Sequence, residues 1–371
     1  MASRQEESTA QQQLDRLGDG HDGDENCYPD VMGQFPVLDG YIHTMFGFEL
    51  PLDVDRDAVA SALKTGLDRV VGQIPWLGWQ IGQRSGVRTA VPWPQGVARE
   101  LLIVKHCDDS IPPMAQLLAT GVPIGKLDAS VLAPWPALPL PHGLRGPAPV
   151  ITLQANFILG GLILTFSPHH TMMDGTAVLQ LAKMLAAVLR GDDISTADLQ
   201  QANRDRSRVV DLIPRGQPLK DHSHLRRPPG YQFVPPPSPP TWCYFKMPVT
   251  RLPVGAAASL PLQQTAQILR RELSQANTAW AIRSFATFVA REPDRSALMY
   301  NGTHDGATDV GASSTWFENQ AAPPSWGALL GPSRFWRRPA SSPIPGAFVA
   351  QPVEGGAIPI LVCCRWRIWR G

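Results

Sequence analysis

The residues best equipped for chemistry lie in Ser167-Pro168-His169-His170-Thr171-Met172-Met173-Asp174-Gly175. An imidazole with an unperturbed pKa of about 6.5 is largely unprotonated at neutral pH, so it can take a proton from an attacking hydroxyl. Asp174 follows His170 by four residues, where a carboxylate can orient the ring or simply shape the loop. The same pair is half of a helical metal site, but no His-x-x-x-His, Cys-x-x-Cys or Glu-rich cluster supplies a third ligand locally. No metal is therefore expected. A histidine alone at a strand end is more often a hydrogen-bonded structural residue than a catalyst. The specificity here lies in the whole string.

The flanks of the string indicate how it is held. Ile151, Leu153, Ala155 and Phe157 alternate with more polar positions, Gly160-Gly161 supplies a turn, and Leu162 to Phe166 form an apolar strand. Beyond it, Ala177, Val178, Leu181, Met184, Leu185, Val188 and Leu189 recur at helical spacing until Gly191. Two histidines and an aspartate thus stand where a buried strand gives way to a helix, a common place to present a reactive side chain.

The string His169-His170-Thr171-Met172-Met173-Asp174-Gly175 resembles the HHxxxDG signature of the CoA-dependent acyltransferase superfamily. That superfamily includes chloramphenicol acetyltransferase, peptide-synthetase condensation domains, plant BAHD acyltransferases and fungal trichothecene acetyltransferases. Val37-Leu38-Asp39, the helix of 57–71 and Gln73-Ile74-Pro75-Trp76-Leu77-Gly78 resemble the opening of the trichothecene branch; Gly331-Pro332 and Arg337-Arg338-Pro339 resemble its close. The resemblance implies an α/β (α+β) fold of two chloramphenicol-acetyltransferase-like halves, each a mixed sheet with flanking helices, with an active-site channel between them. It also implies that His170 is the general base and His169 a supporting residue. Asp174 would turn away to pair with an arginine, and Gly175 would allow a close backbone approach. Pro324-Ser325-Trp326-Gly327 occupies the place of the family's second motif, so Trp326 and Gly327 are the expected channel-shaping pair, although only the Trp-Gly remains.

A thioester donor is already activated, so no Ser or Cys nucleophile is required, and no Gly-x-Ser-x-Gly elbow is present. The expected reaction is O-acylation, most simply O-acetylation, of a secondary-metabolite hydroxyl. Acetyl-CoA or another acyl-CoA is the co-substrate, and a small-molecule alcohol is the acceptor. Two alternatives remain at this point: a condensation-type domain using carrier-bound acyl groups, and an impaired or truncated relative. The weakened second motif and the unusual ending Arg365-Trp366-Arg367-Ile368-Trp369-Arg370-Gly371 favour the latter.

Composition narrows the setting. Of 371 residues, 43% are hydrophobic and 18% charged, enough apolar material for a sizeable core. With a net charge of +1, nothing points to electrostatic capture of nucleic acid or an anionic membrane. The five cysteines are odd in number and lack metal spacing, so reduced thiols are expected. Without an apolar leader or a window of about twenty apolar residues, the sequence reads as a soluble, cytoplasmic monomer. The expected organisation is a polar, disordered tail at 1–30, an acyltransferase half at 31–213, a proline-rich crossover at 214–240 and a shortened second half at 241–371. In that second half Thr241 to Met247 reads as a strand, with Trp280, Phe285, Phe288 and Val289 as core.

Overall fold

The computed structural model describes residues 31–35, 38–84, 87–97, 100–138, 148–204, 206, 210–226, 258–299, 311–314, 324–339, 347–350 and 360–363. The tail, the polyproline run, the strand expected at 241–247 and the C-terminal ending lie outside these residues.

The site rests on a five-stranded sheet. Its strands are β1 (Thr44–Glu49), β4 (Leu102–His106), β5 (Ile151–Ile158), β6 (Gly161–Pro168) and β8 (Phe335–Arg337), in the order β4-β5-β6-β1-β8. Only β4 and β5 run parallel. A separate hairpin joins β2 (Gln80–Arg84) to β3 (Val87–Val91). β7 (Gly311–Ser314), β9 (Ala347–Ala350) and β10 (Ile360–Cys363) form a second, three-stranded sheet.

The central hairpin β5–β6 turns through Gly160 at φ +74°, a conformation that costs a residue without Cβ little. Every residue of both strands is buried, because both sheet faces are covered. On one face α1 (Arg56–Gln73) and α4 (Gly175–Leu189) pack on Phe46, Leu153, Leu164 and Phe166. α1 begins at an Asp55 cap and buries a stripe of Val59, Leu63, Leu67, Val70 and Val71. The other face meets α2 (Met114–Ala119) and the segment through α3 (Ala129–Leu132). The polar positions of β5, which alternation alone would turn to solvent, are therefore buried and paired. Asn156 donates to the carbonyls of Leu132 (3.1 Å) and Ile163 (3.0 Å), and Gln154 to that of Val131 (2.9 Å).

Beyond α5 (Thr196–Ala202), the helices α6 (Leu262–Ala276) and α7 (Ala279–Arg291) lie in the second half of the chain. Thr278 caps α7, which packs Phe285 and Val289 with Phe35 and Leu38. Trp280, expected in the core, is instead 51% exposed. Its position in the first turn of α7 puts it on the face opposite Phe285. The late segment 324–339, assigned by sequence to the second half, packs on the first sheet: β8 pairs with β1 from Met45↔Arg337 to Gly47↔Phe335. α8 (Gly327–Leu330) precedes it and buries Leu330 in the main core.

Candidate active site

β6 ends at Pro168 and the chain leaves the sheet through His169. The His169 amide donates to the Val150 carbonyl (2.8 Å), and the His170 amide to that of Gly40 (2.7 Å). The amides of Met172 and Met173 turn back onto the His169 carbonyl at 3.0 and 3.1 Å. Asp174 then accepts from the Ala177 amide (2.9 Å) and caps α4. The motif is thus a one-turn hinge between central strand and helix, with backbone bonds fixing both histidines.

A second layer buttresses the turn. A Cβ on Gly33 would stand 2.1 Å from the Thr171 carbonyl oxygen, so only glycine allows this approach. The Thr171 hydroxyl donates to the Leu38 carbonyl (3.3 Å). From the opposite side, Arg206 donates to the Met172 carbonyl (2.5 Å) while its guanidinium lies over the Trp76 ring at 4.4 Å.

His169 is fully buried, edge-on to Tyr41 at 5.2 Å, with Nε2 3.5 Å from Asp39 Oδ1. Asp39 in turn accepts from Arg88 at 2.9 Å. Burial lowers the pKa of His169 despite the nearby Asp39 carboxylate, so the ring is neutral. Burial also opposes the Asp39 carboxylate, yet the His169 ring beside it and the Arg88 charge outweigh it and hold its pKa below the ordinary value.

His170 retains 6% of its surface, and its Nδ1 is buried without a hydrogen-bond partner. Desolvation pushes its pKa down to about 3; the neighbouring backbone at His170 and Met173 counters this weakly, and the cation of Arg338 adds to it. The imidazole is accordingly an uncharged proton acceptor at any physiological pH.

Asp174 caps the helix, and among the described residues no arginine stands within ion-pair distance of it. Gly175 opens α4 directly behind the cap. Trp326 is 1% exposed and meets the rings of Phe46, Phe48 and Phe166 at 5.6, 5.2 and 6.4 Å. Gly327, at φ +71°, lies against Arg190, the C-cap of α4. Asp174 stands at the other end of that helix, about 22 Å along its axis at 1.5 Å per residue. The structure therefore brings His169, His170, Asp174 and Gly175 together, and places Trp326 in the core and the half-buried Gly327 against the C-terminal end of α4. Reading the sequence missed the linkage of Asp39 to Arg88 and the Arg206 strut. Asp39 and His169 are far apart along the chain, and no local pattern announces their meeting.

Among the described residues no group of three His, Cys, Asp or Glu side chains is placed to hold a metal.

The chain's relatives define the class, that of the CoA-dependent acyltransferases. Residues 41–188 match the trichothecene 3-O-acetyltransferase-like N-terminal domain. The chain is 30% identical to the O-acetyltransferase SAT5 of Stachybotrys chartarum over 91% of each protein, and 28% identical to the O-acyltransferase pigD of Monascus ruber over 90% of this chain and 93% of that one. Among solved structures, that of Fusarium sporotrichioides TRI101 complexed with Coenzyme A and T-2 superposes with a TM-score of 0.72 at 22% identity, covering 88% of this chain and 92% of that one. The chain belongs to the trichothecene 3-O-acetyltransferase-like family and is an O-acyltransferase with the two-half fold of that superfamily. Neither the condensation-type nor the impaired alternative is favoured by these relatives. The alignment with SAT5 runs over 426 positions, more than the 371 residues of this chain, so the relative carries internal residues without a counterpart here.

Proposed function

We propose that the protein transfers an acyl group, most simply acetyl, from an acyl-CoA to a hydroxyl of a small secondary metabolite, with His170 as general base. The observation that supports this most directly is the placement of His170. The ring stands at the exit of the central strand, is fixed through its own backbone and is neutral.

The chemistry needs little more. The acceptor oxygen attacks the thioester carbonyl while the imidazole takes its proton, and the tetrahedral intermediate collapses with loss of the CoA thiolate. The imidazolium then returns the proton to that sulfur. General-base help of this kind is worth on the order of 10²- to 10⁴-fold. A strongly desolvated imidazole is a weaker base but is never lost to protonation near neutrality. In this reading His169, Asp39 and Arg88 form a support behind the turn, and Asp174 holds the start of α4 in place. Neither Trp326 nor Gly327 touches the reacting atoms.

For location and assembly the reading is a cytoplasmic monomer. No helix among the described residues is long and apolar enough to cross a membrane, and Cys107 is a buried free thiol. Sedimentation of the purified chain tests the monomer.

Release of CoA from acetyl-CoA, followed with a thiol reagent in the presence of candidate alcohols, tests the function. His170→Ala is expected to lose about 10²- to 10⁴-fold in turnover while keeping its circular dichroism. Equal rates in the two proteins would remove His170 as the base.

A further inference from the structure

Behind the motif turn lies a cavity of about 690 Å³. Its apolar wall is formed by Ile74, Trp76, Leu77, Met172, Met173 and Met184. The volume is in the ordinary range for small-ligand pockets, about 300–1,000 Å³. Neither histidine of the motif lines it. Met172 and Met173 lie between the histidines and Asp174, so the turn itself forms one wall.

The wall selects by shape and polarisability. Thioethers adapt to flat, polarisable surfaces, and indole adds a face for stacking. Hydrogen-bonding groups are few and sit at the edge: Thr176, Gln180 and Gln201 are exposed there. The charges in the lining balance in number, with two carboxylates (Asp174 and Asp198) and two guanidinium groups (Arg204 and Arg206). Three of the four are already engaged within the protein. Asp174 caps α4, Asp198 accepts from the Ser195 hydroxyl (2.6 Å), and Arg206 holds the Met172 carbonyl. A polyanion such as CoA finds no excess positive charge in such a site.

We propose that this cavity is a second binding site, for an uncharged, flat aromatic or polycyclic molecule bearing hydroxyl groups, separate from the route of the CoA thioester. Because the ligand would rest on Met172 and Met173, its occupancy would be felt by the turn that carries His170. The site does not depend on the assignment of His170 as base, and direct binding tests it without turnover.

The probes are Nile red, a neutral planar dye, and 2-naphthol, a neutral hydroxylated competitor. With methionine ε-methyl groups labelled with ¹³C, 2-naphthol is expected to shift Met172, Met173 and Met184 and to leave Met45 and Met114, buried in the other core, in place. Ala177→Phe and Ala202→Phe fill the cavity from two different helices. Each is expected to weaken Nile red binding at least tenfold. The proposal is overturned if the three methyl resonances do not move, if folded filling variants bind the dye like the wild type, or if CoA displaces it competitively. The methyl spectrum needs no variant, so a filling substitution that fails to fold leaves the test intact.

Discussion

At the scale of single residues, the site is governed by desolvation. His43, His169 and His170 are all buried near the exit of β6, and each has its pKa pushed down by loss of water. Only His169 has a carboxylate beside it, and that carboxylate is held in turn by Arg88. Asp39→Ala would leave a buried imidazole and a half-buried guanidinium without their shared partner. A loss of about 1–3 kcal/mol in urea unfolding is expected, with the larger part retained in Asp39→Asn. A depressed pKa at His170 also fixes the acid limb of the rate profile. The folded value of about 3 keeps the ring neutral, so kcat/KM should stay flat between pH 7 and pH 5. A limb near pH 6.5 in the initial rates would show that the ring is solvated in the free enzyme.

At the scale of elements, the decisive junction is that between β6 and α4. Asp174 is the fourth residue after His170, so the helix that fixes the far side of the turn starts from the same string that carries both histidines. If capping is its role, Asp174→Ala should lower stability by about 0.5–2 kcal/mol, whereas Asp174→Asn, an equally good cap, should restore most of it. A role as a charged orienter of the imidazole predicts the opposite pattern, with Asn as inactive as Ala. Parallel thermal melts and CoA-release rates on the two variants separate these. The hairpin and both helices of this half were legible in the sequence, because apolar spacing of two and of three to four residues is written locally. The burial of Thr152, Gln154 and Asn156 was not legible, since it depends on carbonyls of the chain near Leu132 coming to cover that face.

At the scale of the whole molecule, the late segment 324–339 closes the first sheet. Phe335 packs over Gly47, where a Cβ would come within 2.0 Å of the Phe335 ring. Gly47→Ala should force β8 away from β1 and cost about 1–3 kcal/mol, an effect transmitted between residues from opposite ends of the chain. Protonation sets a second global property. An unfolded histidine takes a proton near pH 6.5, whereas His43 and His170 resist it until about pH 4 and 3. Their contribution to stability is complete above pH 6.5 and is lost as the pH falls through that window toward the folded values. Each should remove about 2 kcal/mol between pH 6.5 and pH 5, visible as a falling urea midpoint, and His43→Gln should flatten the slope.

The sequence by itself determined the motif, its strand–turn–helix setting and the family, because all of these depend on residues close together along the chain. Only the tertiary structure decided that Asp39 and Arg88 stand behind His169, that Trp326 belongs to the core beneath α4, and that Arg206 braces the turn against Trp76. Each of these joins residues far apart in sequence. Their proximity arises when the sheet and helices bury their apolar faces together, and no local periodicity records it.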